Sequence, residues 1–367
     1  MSSSKVSTPP VPSLKTVSEH ALLSTLMALI MLLAYLGGFH KPAIHDLDIA
    51  LVTNNAQSSV ALQQNLNSAL GDGLHIRSLA SEEEAQEQLK NRQISGAYMP
   101  GKDHATLLLA SADSGATAET LTKVFQKATQ QQGIPLLIND VVPTDENDPI
   151  GQNIFFYLVA LSVGSYATSI AIAAAGAMRA MKDRIALAIV AAIAIPTVFL
   201  FVSYWLFGLF DGHLRAAWAL SVLYSAAVLF VGVGLRPLVG HYCTLLYATL
   251  FVGLNFTSSG GVFSPDLQPT FFQILHHFWI GAGFVETMRN ITYFPAVSIA
   301  NPLTVLIVWL VAGLLCLVIG GAYERRQKKL NALISTADGR ARHAAAQNQH
   351  QLPDDVEEEL EENVAPA

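Results

Sequence analysis

Few residues in this chain are of types that could do chemistry, and most fail the spacing that catalysis needs. Gly96-Ala-Tyr-Met-Pro-Gly101-Lys102-Asp103 comes within one position of a phosphate-cradling loop. That loop needs a Ser or Thr hydroxyl for Mg²⁺ where Asp103 stands, and a carboxylate there repels phosphate. It also needs a helix N-terminus to follow, whereas Ala105–Ala110 reads as a strand. Gly96 and Pro100–Gly101 are therefore expected to punctuate a strand and a turn. His276 and His277 are sequence neighbours and point about 100° apart on a helix, unlike the i, i+4 pair that shares one metal. Cys243 and Cys316 lie inside apolar runs and signal neither a disulfide framework nor a zinc site. No G-x-S-x-G elbow, H-E-x-x-H or paired-carboxylate constellation falls within the apolar runs, so no catalytic residue, metal or cofactor is assigned. Two charged groupings remain. Arg179, Lys182, Asp183 and Arg184 cluster in one short interval, Met178–Arg184, and Glu286 and Arg289 stand three apart, able to pair on one helix face.

What positions these residues follows from composition. Of 367 residues 51% are apolar and 13% charged, which argues against an ordinary soluble chain. Only ten charged side chains fall between Gly151 and Tyr323. Six apolar runs are each long enough to cross about 30 Å of hydrocarbon: Ala21–Phe39, Gln152–Met178, Ile185–Phe210, Ala216–Leu235, Tyr242–Phe263 and Leu303–Tyr323. The first is too long for a cleaved signal core and is expected to be a retained anchor. The fold class expected is thus a six-span α-helical membrane protein carrying one small α/β domain.

Orientation follows from Lys and Arg in short loops. With residues 1–20 in the cytoplasm, that side collects twelve basic residues, among them Arg179, Lys182, Arg184, Arg236 and those after Tyr323; short loops opposite hold only Arg215 and Arg289. Residues 40–150, with 14 acidic and 7 basic groups, then lie outside the cytoplasm. Within them Asp48–Thr53, Leu74–Leu79, Gln93–Met99 and Ala105–Ala110 read as strands, and Gln57–Leu70 and Ala116–Gln130 as amphipathic helices. Ser81 and Glu84 have capping-box spacing ahead of a short helix through Leu89. The polar stretch 324–367 ends in the acidic run Asp354–Asn363 and reads as a disordered cytoplasmic tail. Nucleic acid is not an expected partner; the lipid bilayer is.

Residues 255–301 separate the last two spans. Gly260, Gly261 and Pro265 break a helix, and Pro269 can start another. Phe271, Phe272, Leu275, Phe278 and Trp279 then form an aromatic face suited to the membrane interface. Residues 264–290 read as an interfacial or re-entrant element that either closes the outer end of a pathway or caps the bundle, with Phe263, Glu286 and Arg289 among its parts.

The order of elements, the segment from Ser259 to Arg289 (SGGVFSP, PTFF and the Arg), GAYMPG, and DVVPTDENDPIGQNIFFY before the second span resemble the YhgE/Pip branch of the type-2 ABC transporter permeases. The resemblance covers roughly residues 20–325. It implies one N-terminal span, an external domain, a five-span core over 151–323, and an export permease working as a dimer with a cytoplasmic ATPase. This chain departs from the branch in its short external domain and in Phe-Ser-Pro at Phe263–Pro265, where Phe-Pro is common. Residues 178–184 would be the ATPase-docking loop, because force on so short a loop reaches both helices it joins. The expected function is a cell-membrane exporter subunit moving a lipid-like or amphipathic substrate. The alternative is a non-transporting anchor that binds a partner through its external domain. A secondary transporter is less favoured, since such proteins usually bury ionisable groups near the midplane, and an enzyme is least favoured.

Overall fold

The computed structural model describes residues 13–45, 47–53 and 73–349. A long helix, α1 (Leu14–Phe39), leads into an α/β unit of β1 (Leu47–Val52), β2 (Leu74–Leu79), α2 (Glu82–Lys90), β3 (Gly96–Met99), β4 (Ala105–Leu109), α3 (Gly115–Gln132) and β5 (Leu136–Asp140). The sheet order is β2-β1-β3-β4-β5, parallel except between β3 and β4. Alternation along β1 sends Leu47, Ile49 and Leu51 to the α3 face, where Tyr98 stacks on Phe125 at 4.6 Å. Ala50, Ala97 and Leu108 face the other way, onto Ala85 and Leu89 of α2. Fully burying a side chain such as Phe125 or Leu107 stabilises this unit by roughly 1.5–3 kcal/mol each.

Local signals account for several boundaries. Ser81 Oγ accepts from the Glu84 amide, the half of the capping box its spacing implied, while Glu84 Oε2 accepts from the Ala80 amide, one residue before the cap. The glycine-rich GAYMPG segment forms β3 and the turn of an antiparallel hairpin with β4, not the start of a helix. The edge strand β5 is an addition to the strands read from sequence. Gln57–Leu70 and the acidic run Asp354–Asn363 lie outside the described residues.

The bundle comprises α4 (Asn153–Ala175), α5 (Met181–Phe207), α6 (Leu214–Val239), α7 (Cys243–Ala248), α8 (Leu254–Ser258), α9 (Thr270–His276), α10 (Ile280–Tyr293) and α11 (Ala300–Gln349). Among the described residues five helices are long and apolar enough to cross a membrane: Ala21–Phe39, Asn153–Ala175, Met181–Phe207, Leu214–Ser258 and Ala300–Ala337. The fourth does not run straight. Pro237 denies the helix an amide, and Gly240 at φ 64° turns the chain through a conformation that favours glycine. Past that turn Tyr247 donates to the Gly232 carbonyl and Asn255 to the Tyr224 hydroxyl, so the two halves of Leu214–Ser258 lie antiparallel. A π-helical turn, Thr249–Gly253, interrupts the returning half and leaves the Phe251 carbonyl to accept from Ser162.

Helix contacts here rest on close backbone approach and buried hydroxyls, as expected where surrounding lipid is as apolar as the contact itself. A Cβ on Gly320 would fall 2.0 Å from the Gly234 carbonyl oxygen, so α6 and α11 touch backbone to backbone, and Cys316 borders the same contact. Tyr157 pairs with Ser221, and Ser165 with Ser225, joining α4 to α6. The expected first span, Ala21–Phe39, lies within a helix that begins at Leu14. One expectation needs correction: the segment after Tyr323, read as disordered, is helical to Gln349. Loss of hydropathy ends a span, but Ala, Leu, Lys, Arg and Gln continue a helix well.

Candidate functional site

The structure brings the Glu286–Arg289 pair together with three groups that sequence spacing could not connect to it. Glu286 is the hub. One of its carboxylate oxygens meets Arg289 on the same face of α10, as the i, i+3 spacing implied. The other lies 2.6 Å from Arg92, in the turn that follows α2. Arg92 also binds Asp113 at 2.7 Å and the Asn290 side-chain carbonyl at 2.6 Å, and its guanidinium lies over the Phe294 ring. Arg92 adopts φ 56°, a left-handed conformation uncommon for a residue with a side chain. The turn after α2 thus aims its side chain across the junction. Phe294 completes the contact by packing among Ala50, Leu89 and Leu108 on the α2 face of the sheet.

Gly260 and His276 close the cluster from below. Arg289 donates to the Gly260 carbonyl at 2.8 Å, and Gly260 holds φ 74°. A Cβ at Gly260 would fall 2.8 Å from the His276 ring and 3.3 Å from Glu286, so both conformation and space call for glycine. His276 Nδ1 donates to the Ser258 carbonyl at 2.9 Å, which turns Nε2 toward Glu286 at 3.9 Å. Burial favours the neutral acid, but the neighbouring Arg289 and Arg92 charges outweigh it and hold the Glu286 carboxyl well below the usual range. Burial pushes His276 down, partly opposed by Glu286. Beside the cluster a polar cleft of about 610 Å³ separates the α/β unit from residues 264–290.

The remaining sequence-selected residues shape that segment. Gly261 lies against Phe155 and Phe263 against Phe39. Pro265 starts a 3₁₀ turn and Pro269 precedes α9. The expected single aromatic face is divided: Phe272, Leu275 and Trp279 are buried, while Phe271 and Phe278 are exposed. Trp279 donates to the Leu250 carbonyl and Trp309 to the Phe278 carbonyl, tying α9 and the turn after it to the bundle.

Neither a scan against protein-family models nor a search of curated proteins finds a match to this chain.

At the opposite end, the four residues of the short loop part company. Arg179 and Lys182 are exposed and Asp183 is half-buried, whereas Arg184 is buried and paired with Glu324 on α11. Arg184 Nε has no hydrogen-bond partner. Arg184 thus ties α5 to α11 and does not present itself to a partner. A cavity of about 230 Å³ lies alongside, with Lys182, Arg325 and Lys328 on its walls. Sequence reasoning missed Arg92, Asp113, Asn290 and Glu324. Only Glu324, an acid directly after an apolar run and before two arginines, carried a local signal.

Proposed function

We propose that this chain is the permease subunit of a type-2 ABC-like exporter in the cell membrane. It has no catalytic centre of its own and works as a homodimer or heterodimer with a cytoplasmic ATP-binding subunit on another chain. Its cargo is lipid-like or amphipathic. The motif order from Ser259 to Arg289 and the paucity of charge within the spans support this class.

One observation carries the architecture. Arg92 and Glu286 meet at one end of the molecule, Arg184 and Glu324 at the other. Between Asn153 and Ile280 the chain must therefore cross an even number of times. Three long helices lie between, and this parity supports two crossings by Leu214–Ser258, folded at Gly240. The spans are then α1, α4, α5, α6, α7 with α8, and α11. Basic residues concentrate at the Arg184 end, which supports a cytoplasmic position for that end and an external one for the sheet. The Arg92–Glu286–Arg289 cluster latches the external unit to the re-entrant segment, so that movement of the spans reaches it.

Two measurements test this. A tagged chain purified in mild detergent is expected to retain an ATPase at fixed stoichiometry; reproducible absence of one, with a partner held by residues 40–150 instead, would favour the anchor reading. In intact cells Lys102→Cys is expected to react with a membrane-impermeant thiol reagent, and Met178→Cys only after permeabilisation. Reaction of both from one side would overturn the crossing by α4 and the proposed orientation.

A further inference from the structure

The first half of α4 and the last part of α5 border a groove of about 970 Å³, at the upper end of the range for small organic ligands. Its walls are apolar: Phe156 and Ala160 on α4, with Val198, Val202 and Leu206 on α5. Phe156, Val198 and Leu206 are each more than half exposed, at 57%, 57% and 56%. At the sheet end the lining changes to Asn147, Asn153 and Ser203. The turn after α5, with both Gly208 and Phe210 at positive φ, brings Gly208 against Asn147 and so shapes this polar end.

The polar end suits an uncharged group. Asn153 donates to the Asn147 backbone carbonyl at 3.0 Å. That leaves the Asn153 side-chain carbonyl, the Asn147 side-chain NH₂ and the Ser203 hydroxyl without hydrogen-bond partners among the described residues. No Lys, Arg, His, Asp or Glu lines the groove. A charged head there would meet no counter-ion in the lining. Exposed Asp145 and Glu146, immediately before Asn147, further disfavour an anionic head. A ligand apolar along most of its length and hydrogen-bonding at one end is an amphiphile.

We propose that this groove binds one amphiphile, its alkyl chain between α4 and α5 and an uncharged polyhydroxyl head at Asn147, Asn153 and Ser203. The proposal rests on the permease reading only in making this amphiphile a candidate cargo. The test uses the full chain in phosphatidylcholine nanodiscs and a photoreactive alkyl glucoside with a mid-chain diazirine; the comparison probe has the same chain and a sulfate head. Label is expected on peptides containing Ala160 and Val202. Val202→Trp and, separately, Ala160→Leu should each cut it at least fivefold, with melting preserved in at least one of them. Phe201→Ala, on the same helix but outside the groove, should leave it unchanged. The sulfate probe should label at least fivefold less.

Equal labelling around α5, insensitive to both groove variants, would mean annular lipid only and overturn the site. Equal labelling by the sulfate probe would overturn the head-group assignment. Efficient cross-linking between copies through Val198→Cys, with no glucoside label, would give the groove to a second copy of this chain. Specific label on a protein that retains no ATPase would sustain the groove while removing the exporter reading; a bound ATPase with no specific label would do the reverse.

Discussion

Each end of the helical bundle is pinned by a buried arginine against a carboxylate, but the two pins are built differently. At the sheet end Arg92 and Arg289 share Glu286, and Asp113, Asn290 and the Gly260 carbonyl take further donors, so segments almost 200 residues apart are joined by a shared network. At the far end Arg184 has Glu324 alone, and one of its nitrogens is unpaired. A buried pair contributes little net stability by itself, yet removing one partner leaves a charge stranded. The satisfied cluster therefore fixes the α/β unit in place. The far-end contact, in which Glu324 also meets the exposed Lys328, holds one buried arginine and is the easier of the two to rearrange.

The largest expected effect breaks the hub. Glu286→Gln leaves Arg289 with no carboxylate and Arg92 with Asp113 alone, and should cost about 3–5 kcal/mol, read as a fall in melting temperature and faster proteolysis between the α/β unit and the bundle. Equal stability would mean the cluster is not what joins them. At the other end, Glu324→Gln takes the carboxylate from one buried arginine, Arg184, and from the exposed Lys328. The expected loss is about 2 kcal/mol, with α/β proteolysis unchanged. A loss as large as at Glu286 would erase the distinction between the two ends.

Acid should separate them further. The Glu286 carboxylate is stabilised in the folded chain, so its contribution is complete above its ordinary value of 4.5 and is lost as pH falls toward about 2. His276 is held below 6.5 by burial; as pH falls through 6.5 the unfolded chain gains a proton that the folded one resists. Both act in the same direction, so stability of the sheet end should decline in two steps, below pH 6.5 and again below pH 4.5. His276→Gln should remove the upper step, measured by melting from pH 8 to 4. Persistence of that step would assign it to another group.

Apolar length made most of the bundle legible in the sequence: α1, α4, α5, α6 and the start of α11 follow from runs that water would not tolerate. The Ser81 cap and the Glu286–Arg289 pair were legible because both are local, within one helical turn. Arg92 was not, since nothing near Asn91-Arg92 indicates a partner in α10. Strand β5 escaped because Leu137 and Ile138 are exposed and show no alternation to read. The extension of α11 escaped because the spans were read by hydropathy, and hydropathy stops where lipid stops while helical propensity does not. Arg184 illustrates the same limit: its sequence neighbours suggested a surface loop, and only the packing of α5 on α11 puts it inside.

That difference between Arg184 and its neighbours sharpens the docking expectation. Arg184→Ala would disturb both coupling and packing, so it cannot separate them. Arg179→Ala with Lys182→Ala alters two exposed side chains that make no ion pair among the described residues, and should change stability by no more than about 0.5 kcal/mol. If the far end receives force from an ATPase, the double variant should melt normally while substrate-stimulated hydrolysis falls at least fivefold. Normal stimulation would move docking away from this loop, leaving the basic groups after Tyr323 as the next surface to test.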